Sequence, residues 1–537
     1  MTFNPNSTIY LCNVPIDNTY KNQLRFNNLD EQYRYFVGRV KHTFTNYLTV
    51  RKTNTDGSMV SSVKVDCNID DLYDSNYMFY QNQNHGTKWF YAFIVKLIYI
   101  NEGTTEIVFE TDVWQTWFKN ITLKPSFVVR EHSESDYRGE NIVPEKFNFD
   151  DYEYTKYPDG VTWLGEMGYL VASTDYYDNQ GNNKVNTNGT GGKITNVFQG
   201  LYFYYFSNTT EKLNTFLKNI DTDCIVSITA IPYFNVSHSP GLAVENEGFI
   251  GYSSNVPTWY FNFDLSTFSS FDGYFPKNNK LFSSPFCSFF VTNNNGEYIN
   301  YNIEDFDDLS DINFTAYGDI SVSPSITLVP KSYKNVDENY LNAITIRNFP
   351  QCSFNSDTFK LWLARNAFGM ATNTIKSVGE IIGGVAMVAT GAGAVVGGGM
   401  IAHGASGVLN TMNDTFQHAH DANQAHLGNA TSNLLTAINK NKFDFYIKTI
   451  KRKYAEMVDE FFTMYGYATN RVKVPNISSR PFYNYVQTID CNIVGGIPDD
   501  DMVKMKNMFN GGVTFWSANA DFGNYNMDEQ DNRTTKR

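Results

Sequence analysis

Charge, and basic charge above all, is scarce in this sequence. Charged residues make up 18% of the 537 positions, and 56 acidic residues against 42 basic ones leave a formal net charge of −14. Proteins that coat duplex DNA neutralise its phosphates with a Lys/Arg surface, so this balance argues against such a role. The acidic balance is compatible with a channel through which DNA passes without binding, because acidic walls would repel the DNA.

Cysteine motifs and targeting signals are missing as well. The six cysteines lie far apart and never form a CxxC pair, so neither a zinc site nor a dense disulfide framework is implied. The N-terminus, MTFNPNSTIYLCNVP, lacks the basic-then-apolar order of a signal peptide. We therefore expect synthesis in a reducing cytoplasm, with any membrane contact coming later and by another route.

Aromatic residues are abundant and predict a mainly β protein. The chain holds 36 tyrosines and 42 phenylalanines, and such side chains suit half-buried sheet surfaces. One hairpin is predicted from strands at 91–100 and 105–113, because Asn101-Glu102-Gly103 lies between two alternating runs. A third strand is expected around Val60, Val63 and Val65.

Residues 133–350 continue as short predicted strands between turn clusters. The segment 178–193 is so rich in Asn and Gly that it predicts an exposed loop or hairpin tip, and 292–296 predicts a second hairpin. No period repeats along the chain, so solenoids and propellers are not supported.

The aromatic block from Lys88 to Phe93, followed by Trp114 and Trp117, allows two interpretations. A stacking platform for nucleic-acid bases would need interleaved Arg or Lys. Because few basic residues accompany these rings, packing in a core is the favoured interpretation.

The stretch from Ile381 to Asn413 is unlike the rest of the chain, because it contains no Asp, Glu, Lys or Arg. It exceeds the roughly 20 apolar residues that a helix needs to cross a bilayer. Its many glycines each weaken an isolated helix by roughly 1 kcal/mol relative to alanine. A glycine-rich loop or a buried core helix is therefore an alternative to membrane contact.

Two sets of residues carry the membrane interpretation. The apolar residues that we expect to meet lipid are Ile381, Ile382, Val385, Met387, Val388, Val395, Val396, Met400 and Ile401. The small residues whose spacing lets helices approach closely are Gly379, Gly383, Ala389, Gly393 and Gly397.

Helical signals flank this stretch and recur near the C-terminus. A capped helix is predicted from Ser356, and 414–440 is predicted as a polar return segment. An amphipathic helix is predicted from Phe443 to Gly466, and a shorter one from Asp499 to Gly511. Between these two helices, Phe482 to Ile493 predicts a strand. The polar tail after Met527 predicts disorder.

Catalytic and metal signals are weak. No nucleophilic triad can be assembled, and the neighbouring acids Glu304-Asp305 and Asp307-Asp308 predict a solvated loop rather than a glycosidase pair. The pair His418 and His420, with His426 beyond, could bind a metal from a strand or sense pH. On a helix the first two would point about 200° apart, so a polar helix face is favoured. We expect no enzyme activity, no metal and no cofactor.

Several stretches carry a family likeness. They are Tyr20-Lys-Asn22, Lys88 to Phe93, Phe109 to Trp117, Phe127 to His132, Tyr465-Gly-Tyr467, Asn470-Arg-Val472, Phe482 to Thr488, Asp490-Cys491 and Gly512 to Trp516. In these stretches the sequence resembles the distal tail tube, or tail knob, proteins of small short-tailed bacteriophages with protein-primed genomes. The likeness covers both ends of the chain in the same order, whereas 133–345 shows little that matches.

The resemblance implies a homohexameric ring of β-barrel or sandwich domains that forms a hollow tube at the tail tip. It implies that a long apolar loop from each subunit plugs the tube and then forms a pore in the host cytoplasmic membrane for DNA. The implied partners are five further copies of the chain, the upper tail and collar tube proteins, the host membrane, and phage DNA passing without sequence-specific binding. The implied location is the virion tail tip.

Combining the residues with the resemblance gives four segments. We expect an N-terminal β tube domain at 1–132, middle β domains at 133–350, a helical and apolar plug at 351–440 with its membrane-active tip at 381–413, and a small α+β part at 441–537 that completes the tube. Six copies of −14 give about −84, so we expect an acidic lumen. The alternatives are a tail-associated enzyme that degrades cell wall and a passive receptor-binding or structural tube.

Overall fold

A computed structural model describes most of the chain. The described residues are 5–53, 59–157, 167–177, 193–194, 197–198, 201–206, 210–220, 224–232, 248–249, 258–294, 296–347, 349, 351–353 and 443–537. Contacts gather the chain into two compact units. Unit 1 contains 1–150, 270–286 and 450–537, and unit 2 contains 151–269 and 287–449. The predicted four-segment division stays a prediction.

Unit 1 is mainly β. Its strands are β1 (Ser7–Cys12), β2 (Asn22–Arg25), β3 (Val40–Thr45), β4 (Val50–Thr53), β5 (Met59–Val65), β6 (Tyr77–Asn82), β7 (Phe90–Asn101), β8 (Thr104–Thr111), β9 (Ile121–Leu123), β10 (Ser126–Glu131), β27 (Tyr467–Lys473), β28 (Tyr483–Ile489), β29 (Ile493–Gly495) and β30 (Val513–Ser517). Its helices are α1 (Leu29–Val37), α2 (Val113–Trp117), α4 (Arg452–Tyr465) and α5 (Asp499–Gly511).

Two sheets and a short strand pair build unit 1. A seven-stranded sheet runs β3-β1-β6-β7-β8-β5-β4, a five-stranded sheet runs β2-β30-β28-β10-β27, and β29 pairs with β9. The predicted first hairpin is β7 and β8, and the predicted third strand is β5, so both predictions are confirmed.

The aromatic block of unit 1 lies in its core. Tyr91 and Phe93 are buried in a cluster with Phe36 of α1 and Trp516 of β30, and Trp89 packs against that cluster. Trp114 is buried in a second cluster, between α2 and α5, and Trp117 packs against it. The core interpretation of these rings is therefore confirmed.

Unit 2 is also mainly β. Its strands are β11 (Tyr152–Lys156), β12 (Met167–Ser173), β13 (Lys193–Ile194), β14 (Val197–Phe198), β15 (Tyr202–Phe206), β16 (Ile225–Pro232), β17 (Gly248–Phe249), β18 (Thr258–Phe263), β19 (Cys287–Thr292), β20 (Tyr298–Tyr301), β21 (Ile312–Asp319), β22 (Ser325–Tyr333), β23 (Val336–Glu338), β24 (Ile344–Ile346), β25 (Gln351–Ser353) and β26 (Asp444–Ile450). Helix α3 (Thr210–Asn219) accompanies them.

The described residues of unit 2 form three larger sheets and the pair β13-β14. They run β11-β26-β19-β20, β17-β15-β12-β16-β25, and β18-β21-β22-β23 with β24 pairing β22. The predicted hairpin at 292–296 joins β19 and β20, which confirms it. Residues 178–192, predicted as a loop or hairpin tip, lie outside the described residues.

The predicted start of the amphipathic helix at Phe443 is wrong. Asp444–Ile450 is strand β26, and the amphipathic helix begins only at Arg452, although its predicted end at Gly466 is confirmed. Pairing with a neighbour on each side overrides the helical spacing of Phe443, Ile447 and Ile450.

The other two elements predicted in this region are present. The helix from Asp499 to Gly511 is confirmed. The predicted strand after Phe482 is found as β28, and a short strand, β29, begins at Ile493.

The tail after Met527 is ordered, contrary to prediction. Asn532 is 1% exposed, and its Oδ1 accepts hydrogen bonds from the backbone nitrogens of Phe482 and Tyr483 at 3.0 Å each. Its Nδ2 donates to the Tyr483 carbonyl at 2.8 Å. Further along, the Asp136 nitrogen donates to the Lys536 carbonyl. The polar side chains of the tail serve as hydrogen-bonding partners for the backbone, which composition alone does not reveal.

Candidate functional site

The predicted membrane-active tip and its packing residues lie outside the described residues. This holds for all of Gly379 to Ile401, for the predicted helix from Ser356, and for the return segment with His418, His420 and His426. The structure instead describes the two strands between which this part of the chain is inserted. These strands, β25 before it and β26 after it, are called the entry strand and the return strand below.

The entry strand lies at the edge of a sheet. Gln351–Ser353 pairs antiparallel with β16 through three residue pairs, Gln351 with Thr229, Cys352 with Ile228, and Ser353 with Ser227. Among the described residues, the strand has a neighbour on one side only. An edge strand of this length is held by few backbone hydrogen bonds.

The return strand lies inside a different sheet of the same unit. Asp444–Ile450 has β11 on one side and β19 on the other. Along it, Phe445, Ile447 and Thr449 are buried on one face, in alternation with Tyr446 and Lys448 on the other. Alternation with a period of two is typical of a half-buried strand. In the sequence, the helical spacing of the apolar residues obscures this alternation.

The first residues of the return strand are fixed by buried contacts. The Phe445 ring centroid lies 4.5 Å from that of Phe263 and 5.9 Å from that of Phe289. The Asp444 carboxylate, 6% exposed, accepts a hydrogen bond from Asn294 Nδ2 at 2.8 Å and lies 3.1 Å from Lys156 Nζ. Ring packing and a shared carboxylate therefore hold the chain where it re-enters the unit.

The length of the inserted part is ample for an excursion across lipid. Positions 354–442 number 89, a chain that spans at most about 300 Å when fully extended. The 33 residues 381–413 correspond to roughly 50 Å of helix, against a hydrocarbon core of about 30 Å. Within the described ranges, no helix is long and apolar enough to cross a membrane.

The acidic candidates for glycosidase chemistry lie on a surface turn. Asp307 and Asp308 are exposed, and the Asp308 carboxylate accepts from the nitrogen and the hydroxyl of Ser310 at 2.8 and 2.7 Å. These hydrogen bonds lower the pKa of Asp308. Asp305 accepts from Asn302 Nδ2 at 3.0 Å and lies 3.8 Å from Lys334 Nζ. The arrangement is that of a capped turn, in agreement with the solvated-loop interpretation.

Four of the described cysteines, Cys12, Cys224, Cys287 and Cys491, are buried. Burial raises the pKa of the Cys12 thiol to about 12, and it also raises the pKa of the Cys491 thiol. Nucleophilic thiols require a lowered pKa, so these two are unsuited to catalysis. Over the part of the chain that is described, no group of three or more His, Cys, Asp or Glu residues could hold a metal ion.

Sequence comparison places known relatives along almost the whole chain. Residues 255–533 match the family described as "Bacillus phage phi29, Tail knob protein gp9, C-terminal domain", and residues 6–122 match "Caudoviral major tail protein N-terminus". The chain is 27% identical to "Tail knob protein gp9" of Bacillus phage B103, covering 96% of this chain and 97% of that one. It is 24% identical to "Tail knob protein gp9" of Bacillus phage phi29, covering 97% and 98%.

Structure comparison shows a similar fold in a solved tail protein. "Structure of the bacteriophage C1 tail knob protein, gp12" superposes with a TM-score of 0.60, covering 95% of this chain and 96% of that chain at 16% identity. At that identity the likeness concerns the fold alone. The predicted mainly β fold class is thereby confirmed.

Proposed function

The chain belongs to the family of the phi29 tail knob protein gp9 and is a component of a phage tail, and from that premise we propose that it closes the tail channel and opens the host membrane. Before infection, the inserted segment 354–442 would block the channel. During genome ejection, its apolar tip 381–413 would leave the channel and form a pore in the cytoplasmic membrane.

One observation carries this proposal: 33 consecutive residues without Asp, Glu, Lys or Arg are inserted between two strands of a β unit. An apolar insertion of this length is costly to expose to water, at roughly 25 cal/mol per Å² of apolar surface. Both of its ends return to ordered strands, so the segment can be displaced without unravelling the sheet that receives the return strand. A lipid bilayer can solvate such a segment, provided that the backbone N–H and C=O groups of the segment hydrogen-bond within the protein.

The proposal also includes assembly. We propose a homohexamer whose lumen passes DNA without sequence-specific contacts and whose other end joins the upper tail tube. Six copies of 61.2 kDa correspond to about 370 kDa, which light scattering coupled to gel filtration would detect. A monomer at micromolar concentration, both alone and with the upper tail protein added, would contradict this part of the proposal.

Dye release from liposomes tests the membrane step. We expect the full chain to release dye, and a chain in which 381–413 is replaced by a Gly/Ser linker of equal length to release almost none. Val388→Glu with Val396→Glu should reduce release at least tenfold, because each buried charge costs about 2.5–3.5 kcal/mol at the centre of a membrane helix. The matched control is Val503→Glu on α5, where the valine is 56% exposed.

The release experiment is run at neutral and at acidic pH, since the segment contains histidines at 403, 418, 420 and 426. Equal release by the full chain and the linker variant under both conditions would overturn the membrane role. Clearing of cell wall in a zymogram by the purified chain would instead favour the enzymatic alternative.

A further inference from the structure

The outer face of the sheet β11-β26-β19-β20 is unusually rich in aromatic rings. The register places Ser288, Phe290 and Thr292 of β19 beside Lys448, Tyr446 and Asp444 of β26, and Asn300 and Tyr298 of β20 on the other side. Contacts with these residues place Tyr152, Tyr154 and Lys156 of β11 on the same face. We call these eleven positions the tyrosine face; five of them are aromatic and none is aliphatic.

Four of the five rings of the tyrosine face are in contact, with Phe290 touching the other three. Phe290 is central, with its ring centroid 5.1 Å from that of Tyr154 and 5.4 Å from that of Tyr298, onto which it stacks. Tyr446 adds a fourth ring at 6.0 Å. Two of these rings are open to solvent, since Tyr154 is 47% exposed and Tyr298 is 62% exposed.

Polar groups accompany the rings. The Lys448 ammonium lies 4.0 Å from the Tyr152 ring centroid and 5.9 Å from that of Tyr154. Asn300 is exposed and is the register partner of Phe290. Rings held by mutual packing, with amide, ammonium and phenol groups at their margins, provide a site that needs little rearrangement before binding.

We propose that the tyrosine face binds a polysaccharide. One face of a pyranose ring presents C–H groups that stack on aromatic rings, while its hydroxyls seek donors and acceptors such as phenol, amide and ammonium groups.

Other partners fit this surface less well. Single-stranded nucleic acid also stacks on rings but requires a positive groove, and of the two lysines here Lys156 is paired with Asp444. Aromatic rings are also enriched at protein–protein interfaces, so the test below distinguishes a protein partner from a glycan. An exposed apolar row does exist elsewhere, on the five-stranded sheet of unit 1, where Ile489, Phe127 and Val472 are direct cross-strand neighbours.

Co-sedimentation of the full chain with insoluble glycans tests the proposal. The probes are Bacillus cell walls, the same walls stripped of acid-extractable anionic polymers, and cellulose. Binding to both wall preparations would place recognition on the neutral backbone, whereas binding only to untreated walls would place it on the anionic polymer. We expect Tyr154→Ala with Tyr298→Ala to weaken binding at least about tenfold, the loss expected when two stacking rings are removed.

Two further variants complete the design. Tyr154→Phe with Tyr298→Phe keeps the rings and removes the phenols, so it should retain most of the binding if stacking dominates. Val472→Ala with Ile489→Ala truncates exposed side chains of the other unit and should leave binding unchanged. Circular dichroism and the thermal midpoint establish that each variant is folded.

Failure of the wild-type chain to bind any of the three glycans would overturn the proposal, as would equal binding by the Tyr154→Ala/Tyr298→Ala variant. A change of oligomeric state in that variant with unchanged glycan binding would assign the face to contact between copies of the chain and would also overturn it. None of these outcomes bears on dye release from liposomes, so the membrane proposal stands or falls separately.

Discussion

Asn278 and Asp459 are 181 residues apart, yet Asp459 Oδ1 accepts hydrogen bonds from both the backbone nitrogen and Nδ2 of Asn278, at 3.0 and 2.8 Å. The other carboxylate oxygen accepts from the Tyr274 hydroxyl at 2.6 Å and from the Lys277 nitrogen at 2.7 Å. Asp459 is 1% exposed. One carboxylate on α4 thus binds the segment 270–286 into unit 1.

Asp459→Asn should destabilise unit 1, because an amide would present a donor to two of these four donors. We expect a loss of about 2–3 kcal/mol in the free energy of unfolding, and a fall of several degrees in the thermal midpoint. The control is Glu460→Gln, at the next and exposed position, for which we expect less than about 0.5 kcal/mol. Indistinguishable midpoints for the two variants would contradict the role of Asp459.

Gly466, which ends α4, tolerates no side chain. Its φ is +64°, and a Cβ there would lie 2.2 Å from the Glu131 carbonyl oxygen. Gly466→Ala should therefore cost at least about 3 kcal/mol, through backbone strain and displacement of β10. Gly496→Ala is the matched control, since a Cβ at Gly496 meets no atom within 4 Å. Soluble yield and urea midpoints of the two variants compare the effects, and similar values would refute the prediction.

His132 is buried between two elements and fixed as the neutral imidazole. Its Nδ1 accepts from the Tyr485 nitrogen at 2.7 Å, so Nε2 donates to the Thr463 carbonyl at 3.0 Å. Burial, reinforced by the nearby Arg480 charge, lowers the pKa of His132 to about 3. Because the folded pKa is below the unfolded value of about 6.5, the contribution of His132 to stability is complete above that value and is lost as the pH falls toward 3.

Stability should accordingly fall by about 2 kcal/mol between pH 7 and pH 5 on account of His132 alone. His132→Gln should be less stable at pH 7 but should show a shallower decline over this interval. Urea unfolding at several pH values gives both slopes. Parallel slopes for the wild-type chain and the variant would show that His132 does not titrate as described.

Asp112 has the opposite pH dependence. Its Oδ1 accepts from the nitrogens of Trp114 and Gln115 at 3.1 Å each, and its Oδ2 accepts from the Tyr77 hydroxyl at 2.9 Å. Burial raises the pKa of Asp112 to about 7 in spite of these hydrogen bonds. The folded pKa of Asp112 lies above the unfolded value of about 3.9. The contribution of Asp112 to stability is therefore complete below about pH 3.9 and is lost as the pH rises through 7.

The free energy of unfolding of the wild-type chain should therefore fall by about 2–3 kcal/mol between pH 5 and pH 8 because of Asp112. Asp112→Asn should remove this fall. The amide oxygen can still accept from the start of α2, so the variant should fold. The quantity to compare is the difference in unfolding free energy between pH 5 and pH 8. An unchanged difference in the variant would show that Asp112 stays ionised throughout.

Local patterns in the sequence predicted the local structure well. Asn101-Glu102-Gly103 predicts the first hairpin because a short turn is specified by its own residues. Gly466 predicts the end of α4 for the same reason. The glycine-rich segment is recognisable from composition, but its insertion between an edge strand and an inner strand depends on pairings with β16 and β19 that no local pattern records.

The predictions from sequence were wrong where contacts between distant residues determine the local structure. Phe443, Ile447 and Ile450 have helical spacing, yet pairing with β19 makes 444–450 a strand. Asn532 belongs to a polar tail, and it is ordered because the backbone of Phe482 and Tyr483 offers hydrogen bonds that match its amide. The tyrosine face cannot be predicted from local sequence for a similar reason, since its rings come from four different strands.

The entry and return strands differ in how they would respond to force. Within the described part of the chain, Gln351–Ser353 is held by three residue pairs to one neighbouring strand, whereas Asp444–Ile450 is held on both sides and its Phe445 ring packs among other rings. A pull on the chain between them would therefore peel the entry strand away first and leave the return strand in place. The inserted segment would lengthen from its N-terminal end only, with a fixed anchor at its C-terminal end.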